Sequence, residues 1–307
     1  MFLEILKTTV YASTLGITFR SAAPLLFGSM GGCFNQTSGH NNIAYECVML
    51  FGALMGVVGS YYTGSPIVGA LSAMAVGILI SLIFGLFVIV FHSNSIVVGV
   101  ALNSGAWAMT TLLMVTIFGT RGSVTGQGIT SFPYINIPFL EKVPYLNTVF
   151  NNKIILVYLA YVMILVAYVL MFKTPFGLRI RGIGQNEAAA ESVGVSVAKY
   201  RIISLVLMGA FVGLGGSCLS IGGLSLFSES MTSGRGFLCV ASMIIGGGNP
   251  LKIALVALLF SFSEAMAQIL TTLGLNGLLV STIPYIAVIV VLFISGMKAF
   301  KGTAELE

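Results

Sequence analysis

The chain has 307 residues, is 57% hydrophobic and only 7% charged, and sets 14 Lys and Arg against nine acidic residues, all of them glutamate. So few charges cannot cover the surface of a water-soluble protein of this length, and the mean hydropathy of +1.03 points the same way. Runs of about 20 apolar residues match a hydrocarbon core about 30 Å thick, and they are continuous where a β-barrel strand would alternate. The expected fold is therefore an all-α polytopic membrane protein. The net charge of +5 reads as a record of topology and gives no reason to expect a nucleic-acid partner.

The opening MFLEILKTTVYASTLG carries Glu4 and no small-x-small cleavage site, so it reads as retained. Nine hydrophobic segments follow, near 9–31, 43–62, 66–91, 94–118, 153–172, 201–222, 234–248, 251–272 and 277–296; the short 234–248 segment is re-entrant or broken. Lys and Arg in short loops mark the cytoplasmic side. With N-terminus out and C-terminus in, that side collects Lys173, Arg179, Arg181, Lys199, Arg201, Lys252, Lys298 and Lys301, and the outside keeps Lys7, Arg121, Lys142 and Lys153. The hydrophilic stretch 120–152 is then an outer loop punctuated by Pro133, Pro138 and Pro144, either a rigid cover or a docking surface.

Two halves share a pattern. GSMGG at 28–32 matches VGLGG at 212–216, and Ser65-Pro66 matches Asn249-Pro250. Thr37-Ser-Gly39 and Thr232-Ser-Gly234 add a third pair after an insertion. Four segments precede and four follow the 153–172 segment, which implies inverted repeats of about 9–118 and 201–296, an arrangement frequent in transporters.

Several single residues are candidates. Glu46 lies just inside a span, where a carboxylate is expensive; it lines a polar cavity, or it is buried against Arg20 or loop amides. Arg235 in SGRG braces the broken helix or contacts substrate. Asn103, Ser104, Trp107 and Thr110 are read as one face of the fourth span, lining a pathway or packing helices. Glu264 and Gln268, four apart in the eighth span, pose the same choice. The cysteines Cys33, Cys47, Cys218 and Cys239 have no CxxC spacing and read as buried apolar groups. His40 and His92 are too few and too far apart for metal chemistry. No Walker A pattern, nucleophile elbow or metal triad occurs, and the GGG at 246–248 signals a turn, so no catalytic residue is expected.

A second polar interruption, 173–200, contains GLRIRGIGQNEAAAESVGV. Asn186 is a candidate N-cap, Glu187 puts a carboxylate in the first turn, Ala188, Ala189 and Ala190 favour helix, and Gly194 is placed as a left-handed stop. Glu187 and Glu191 share one face, with Ala188, Ser192 and Val195 forming a small-residue face. About two turns of helix would be marginal alone, so the spans must hold it or a partner must pack on it.

This stretch resembles the EAA-type cytoplasmic loop of ATP-binding-cassette importer permeases. APLLFGSMGGCFNQTSGHNNIAYECVMLFGA (23–53) and MTSGRGFLCVASMIIGGGNPLKIALVALLFS (231–261) resemble two further signatures of the branch serving branched-chain amino acids, simple sugars and nucleosides. Asn42, Ile43 and Glu46 match the first signature, but Asn35 and Gln36 replace its Glu-Arg and Cys47 its final Gly. The length and short N-terminus look most like the second, shorter permease of a nucleoside importer. The resemblance implies that residues 186–191 and Gly194 dock a separate ATPase subunit, which uses the ATP and Mg. It also implies a second, unlike permease, an extracellular substrate-binding lipoprotein, and a multi-pass place among the lipids of the bacterial inner membrane. Asn42, Glu46, Asn103, Trp107, Glu264 and Gln268 are the pathway candidates. Nucleosides lead, with simple sugars and branched-chain amino acids behind them. A channel or ion-coupled carrier is the rival class.

Overall fold

The computed structural model describes residues 2–304 apart from 40, 127, 139, 140, 142 and 143, so His40 and Lys142 lie outside it. It is a bundle of helices with two small two-stranded ribbons. Helix α1 (Phe2–Thr37) outruns the predicted 9–31 segment at both ends and carries Pro24 in its interior. Helix α2 (Tyr45–Thr63) stops at Gly64, whose φ of 65° supplies the left-handed cap. Helix α3 (Pro66–Gly85) takes Pro66 into its first turn, where no amide partner is needed, and runs on as a π-helical turn at Leu86–Val90. The Asn94 side chain accepts from the amides of Ile96 and Val97 to cap α4 (Ser95–Phe118).

The loop between α4 and α6 holds β1 (Ser123–Thr125), β2 (Tyr134–Ile135), α5 (Pro144–Phe150) and β3 (Lys153–Ile154). Then come α6 (Ile155–Lys173), α7 (Pro175–Gln185), α8 (Glu187–Ser192) and α9 (Val197–Ser220). Strand β4 (Leu226–Ser228), α10 (Arg235–Gly246), α11 (Pro250–Thr272), α12 (Gly277–Val280) and α13 (Ile283–Ala304) complete the chain. Among the described residues, six helices are long and apolar enough to cross a membrane: α2, α3 with its π turn, α4, α6, α9 and α11. Shorter apolar helices are α10 and Ile283–Phe293 of α13.

Helices α1, α2, α3 and α9 form the packed centre, and α2 and α9 are the most buried spans, α4 the least. Backbones touch where side chains are missing. A Cβ on Gly77 of α3 would stand 2.1 Å from the Gly209 carbonyl oxygen of α9, and one on Gly209 would stand 2.4 Å from the Gly77 oxygen. Small residues at such crossings replace the hydrophobic drive that lipid does not provide.

Loops tie the two halves at one end. β1 pairs antiparallel with β4, Val124 opposite Phe227, which puts the end of α4 and the end of α9 on one side. Asn151 is buried at the centre of the loop between α4 and α6: its Oδ1 accepts from the Ile137 amide at 2.7 Å, and its Nδ2 donates to Asn136 Oδ1 at 2.7 Å and Asn147 Oδ1 at 2.8 Å. Exposed positions are therefore the better topology markers. Because all four native cysteines are buried, cysteines introduced at Thr120 and Thr125 are expected to react with an impermeant maleimide on intact cells, and one at Gln185 only after permeabilisation. The reversed pattern would invert the assigned orientation.

Candidate functional site

The first turns of α2 and α10 abut inside the bundle: a Cβ on Gly236 would stand 2.4 Å from the Glu46 amide nitrogen. Glu46, 2% exposed, supplies what both helix ends lack. Its Oε1 accepts from Thr232 Oγ1 at 2.5 Å and the Gly234 amide at 3.0 Å; its Oε2 accepts from the Gly236 amide at 2.8 Å. One carboxylate thus caps α10 from another helix while sitting in the first turn of its own, favourable to both dipoles. Arg20 has no part in this; the loop-amide alternative is the one the structure contains.

Asn103 of α4 does the same for α2. Its Oδ1 accepts from the Cys47 amide and its Nδ2 donates to the Ile43 carbonyl, both at 2.9 Å. Asn42 Oδ1 accepts from the Ala44 amide at 2.7 Å, and its Nδ2 donates to Met208 Sδ at 3.3 Å. So Asn42, Glu46 and Asn103 come together, and with them Thr232, which the sequence marks only as part of the repeat pattern. The expected single face of α4 is divided. Gly99, Asn103, Ala106, Thr110 and Met114 turn into the bundle, whereas Ser104 and Trp107 face outward, Trp107 with 47% of its surface exposed. The reason is helical geometry: at about 100° per residue Gly99, Asn103, Ala106, Thr110 and Met114 fall within an arc of about 80°, Trp107 lies just outside it, and Ser104 lies well outside it.

Behind the junction Arg235 forms an ion pair with Glu264 and donates to the Met231 carbonyl at 3.2 Å. Tyr285 Oη donates to the Ser233 carbonyl at 2.8 Å, fastening α13 to the same turn. Glu264 Oε2 is buried without a hydrogen-bond partner among the described residues. Two cavities flank this pair. One of about 320 Å³ is lined by Arg20, Ser21, Cys218, Arg235 and Gln268. The other, of about 480 Å³, is lined by Ser233, Arg235, Glu264, Gln268 and Tyr285. Gln268 is exposed into both. Where β3 leads into α6, burial and the nearby Arg20 guanidinium hold Lys153 below the usual lysine range.

The polar island folds as two helices. Thr174 Oγ1 accepts from the Gly177 amide to cap α7, which buries Gly177, Ile180 and Ile183; the sequence reading had no helix there. Asn186 Oδ1 accepts from the Ala189 amide at 3.0 Å and caps α8. Gly194, at φ 80°, ends it with paired bonds: its amide donates to the Glu191 carbonyl at 2.9 Å, and the Val195 amide to the Ala190 carbonyl at 3.1 Å. Ala190 packs with Ile183, Val195 and Val197, leaving Ala188, Ala189, Glu191 and Ser192 exposed. Glu187 takes both ends of the Arg201 guanidinium at 2.7 Å, and Arg201 Nε donates to the Ser38 carbonyl at 3.5 Å.

Helix N-termini meeting inside a bundle of apolar spans, beside polar cavities, form an arrangement that membrane transporters use. Residues 14–294 match the family described as branched-chain amino acid transport system / permease component, and the chain belongs to that family. It is a permease subunit of an ABC importer and a multi-pass protein of the bacterial plasma membrane. It is 34% identical over 255 residues to the guanosine ABC transporter permease protein NupQ of Bacillus subtilis, covering 81% of this chain and 79% of that one. Against the nucleoside ABC transporter permease protein NupC of Lactococcus lactis it is 30% identical over 295 residues, 92% of each. In fold it resembles a solved metal-chelate type ABC transporter in an inward-facing conformation, with a TM-score of 0.51, 16% identity, and 92% and 85% of the two chains covered.

Proposed function

We propose that this subunit forms, with a second and unlike permease, the membrane pathway of an ATP-driven nucleoside importer. The observation that carries the substrate class is the identity of 34% and 30%, over most of the chain, to permeases named for guanosine and nucleosides. The cavity walls are in keeping with it: Arg235 and Glu264 neutralise each other, and Gln268 offers both a donor and an acceptor to an uncharged, polar solute. Trp107, exposed on the least buried span, is free to stack on a base or to meet the second permease. In this reading Gln268, Glu264 and Trp107 line the pathway, and Asn42, Glu46 and Asn103 hold its central junction.

About nine helices (eight to ten) cross the membrane, the short α10 segment being re-entrant or broken, in two inverted repeats of about 9–118 and 201–296 joined by the linking helix at 153–172. The packing of α1 on α9 and of α2 on α10 supports that symmetry. A separate ATPase subunit, using ATP and Mg, docks on the coupling loop 173–200 through Asn186, Glu187, Ala188, Ala189, Ala190, Glu191 and Gly194. An extracellular binding lipoprotein delivers substrate to the outer face. Energy reaches the pathway only as far as the ATPase contacts α8 differently in its open and closed states.

The test uses the complete complex of both permeases, ATPase and binding protein in liposomes. Its ATPase is expected to be stimulated more by a nucleoside than by ribose, galactose or leucine. Preference for a sugar or for leucine would replace the nucleoside reading with one of those classes. Ion-driven uptake by this chain alone would replace the importer mechanism.

A further inference from the structure

At the cytoplasmic end, away from the junction and the outer cavities, a third cavity of about 500 Å³ opens between the ends of α1, α6 and α7 and the turn joining α10 to α11. Its charged lining residues are Arg181 and Lys252, and no carboxylate lines it. Arg181 lies over the Phe172 ring at 4.9 Å, and its buried Nε–H has no hydrogen-bond partner among the described residues. Lys252 is exposed. The N-terminus of α11, begun by Asn249 and Pro250, borders the same space and adds its own partial positive charge.

The surface beside the cavity is apolar in a particular register. On α6, Leu165 and Val169 lie seven and three residues before Phe172 and are 64% and 49% exposed. On α11, Leu255 and Leu259 lie three and seven residues after Lys252 and are 65% and 40% exposed. Each pair shares a helix face with its cavity-lining residue. The cation-lined cavity thus sits at the end of two apolar stripes that run toward the membrane interior.

We propose that this cavity binds the phosphate of an anionic phospholipid, with its acyl chains lying along the α6 and α11 stripes. Arg181 and Lys252 meet the phosphate oxygens with N–H donors. The headgroup would then bridge α7, which leads directly into α8, to the α10–α11 turn. Basic pockets between helices on the cytoplasmic side are suited to anionic headgroups, each Lys or Arg near the surface strengthening binding about fivefold. A free phosphate ion would satisfy the same donors but leave the stripes unexplained.

The purified importer complex in detergent would be titrated with phosphatidylglycerol, phosphatidylcholine or inorganic phosphate, with Tm and native mass spectrometry as readouts. Phosphatidylglycerol is expected to raise Tm and remain bound where phosphatidylcholine does not. Arg181→Gln and Lys252→Gln should each weaken retention about fivefold, and Lys199→Gln, an exposed cation outside the cavity, should leave it unchanged. Lys252→Gln alone serves if the Arg181 variant does not assemble. Equal effects of the two lipids, retention that survives Lys252→Gln, or equal loss in Lys199→Gln would overturn the site. Stabilisation by inorganic phosphate as large as that by phosphatidylglycerol would overturn the lipid assignment.

Discussion

Glu46→Ala is expected to remove most of the folded, transport-competent protein. The alanine leaves Thr232 Oγ1 and the amides of Gly234 and Gly236 without their acceptor, all at the centre of the bundle. Each buried donor left unpaired costs about 1–3 kcal/mol, so three together approach the 5–15 kcal/mol net stability of an ordinary protein. Thr232 and Gly236 are buried, and a Cβ on Gly236 would already collide with the Glu46 backbone, so the two helix ends cannot close over the gap. Glu46→Gln should be milder: its carbonyl oxygen keeps one set of bonds, while its amide faces the N–H that Oε2 accepted from. Thr232→Val removes one bond and should be milder still. The check is monodisperse yield and Tm of the purified complex, ordered wild type, Thr232→Val, Glu46→Gln, Glu46→Ala. Wild-type Tm and uptake in Glu46→Ala would reject the capping role.

The same junction marks the limit of what the sequence could convey. Spans were legible because continuous apolar runs have few alternatives in a bilayer, and the α8 caps were legible because Asn186 and Gly194 act on neighbours within a turn. Glu46 could be flagged as an expensive buried carboxylate, yet its partner Thr232 is 186 positions away, and nothing local names it. Asn103 reaches the Cys47 amide across 56 positions for the same reason. Helix α7 passed unread because Gly177, Gly182 and Gly184 lower its propensity; burial of Ile180 and Ile183 outweighs them. The α4 face divides at Trp107, because residues four apart are neighbours but need not both lie in a stripe that spans only part of the circumference.

Glu187→Arg is expected to uncouple ATP hydrolysis from uptake while leaving the spans folded. The wild-type fork is half in solvent, with Glu187 50% and Arg201 15% exposed by side chain. An ion pair so placed contributes up to about 1 kcal/mol, so global stability should change little. Position is another matter. Arg201 links Glu187 to the Ser38 carbonyl, and a Cβ on Gly184 would stand 2.1 Å from the Thr37 carbonyl, so α7 and α8 bear on the end of α1 just before the segment that leads to Glu46. Reversing the charge sets two guanidinium groups against each other and moves α8 off that anchor. Gly194→Val acts on the other end: at φ 80° a β-branched residue is strained by about 1–2 kcal/mol although no atom stands in its way, which loosens the cap and not the core. Gly194→Asn should be tolerated, since asparagine accepts the left-handed conformation. In both disruptive variants, stimulation of the ATPase by loaded binding protein is expected to fall about tenfold, the change that roughly 1.4 kcal/mol in the docking equilibrium produces. Pairing Glu187→Arg with Arg201→Glu restores a fork of opposite polarity and should recover part of the stimulation, which simple misfolding would not. Undiminished stimulation in Glu187→Arg and Gly194→Val alike would remove α8 from the coupling route.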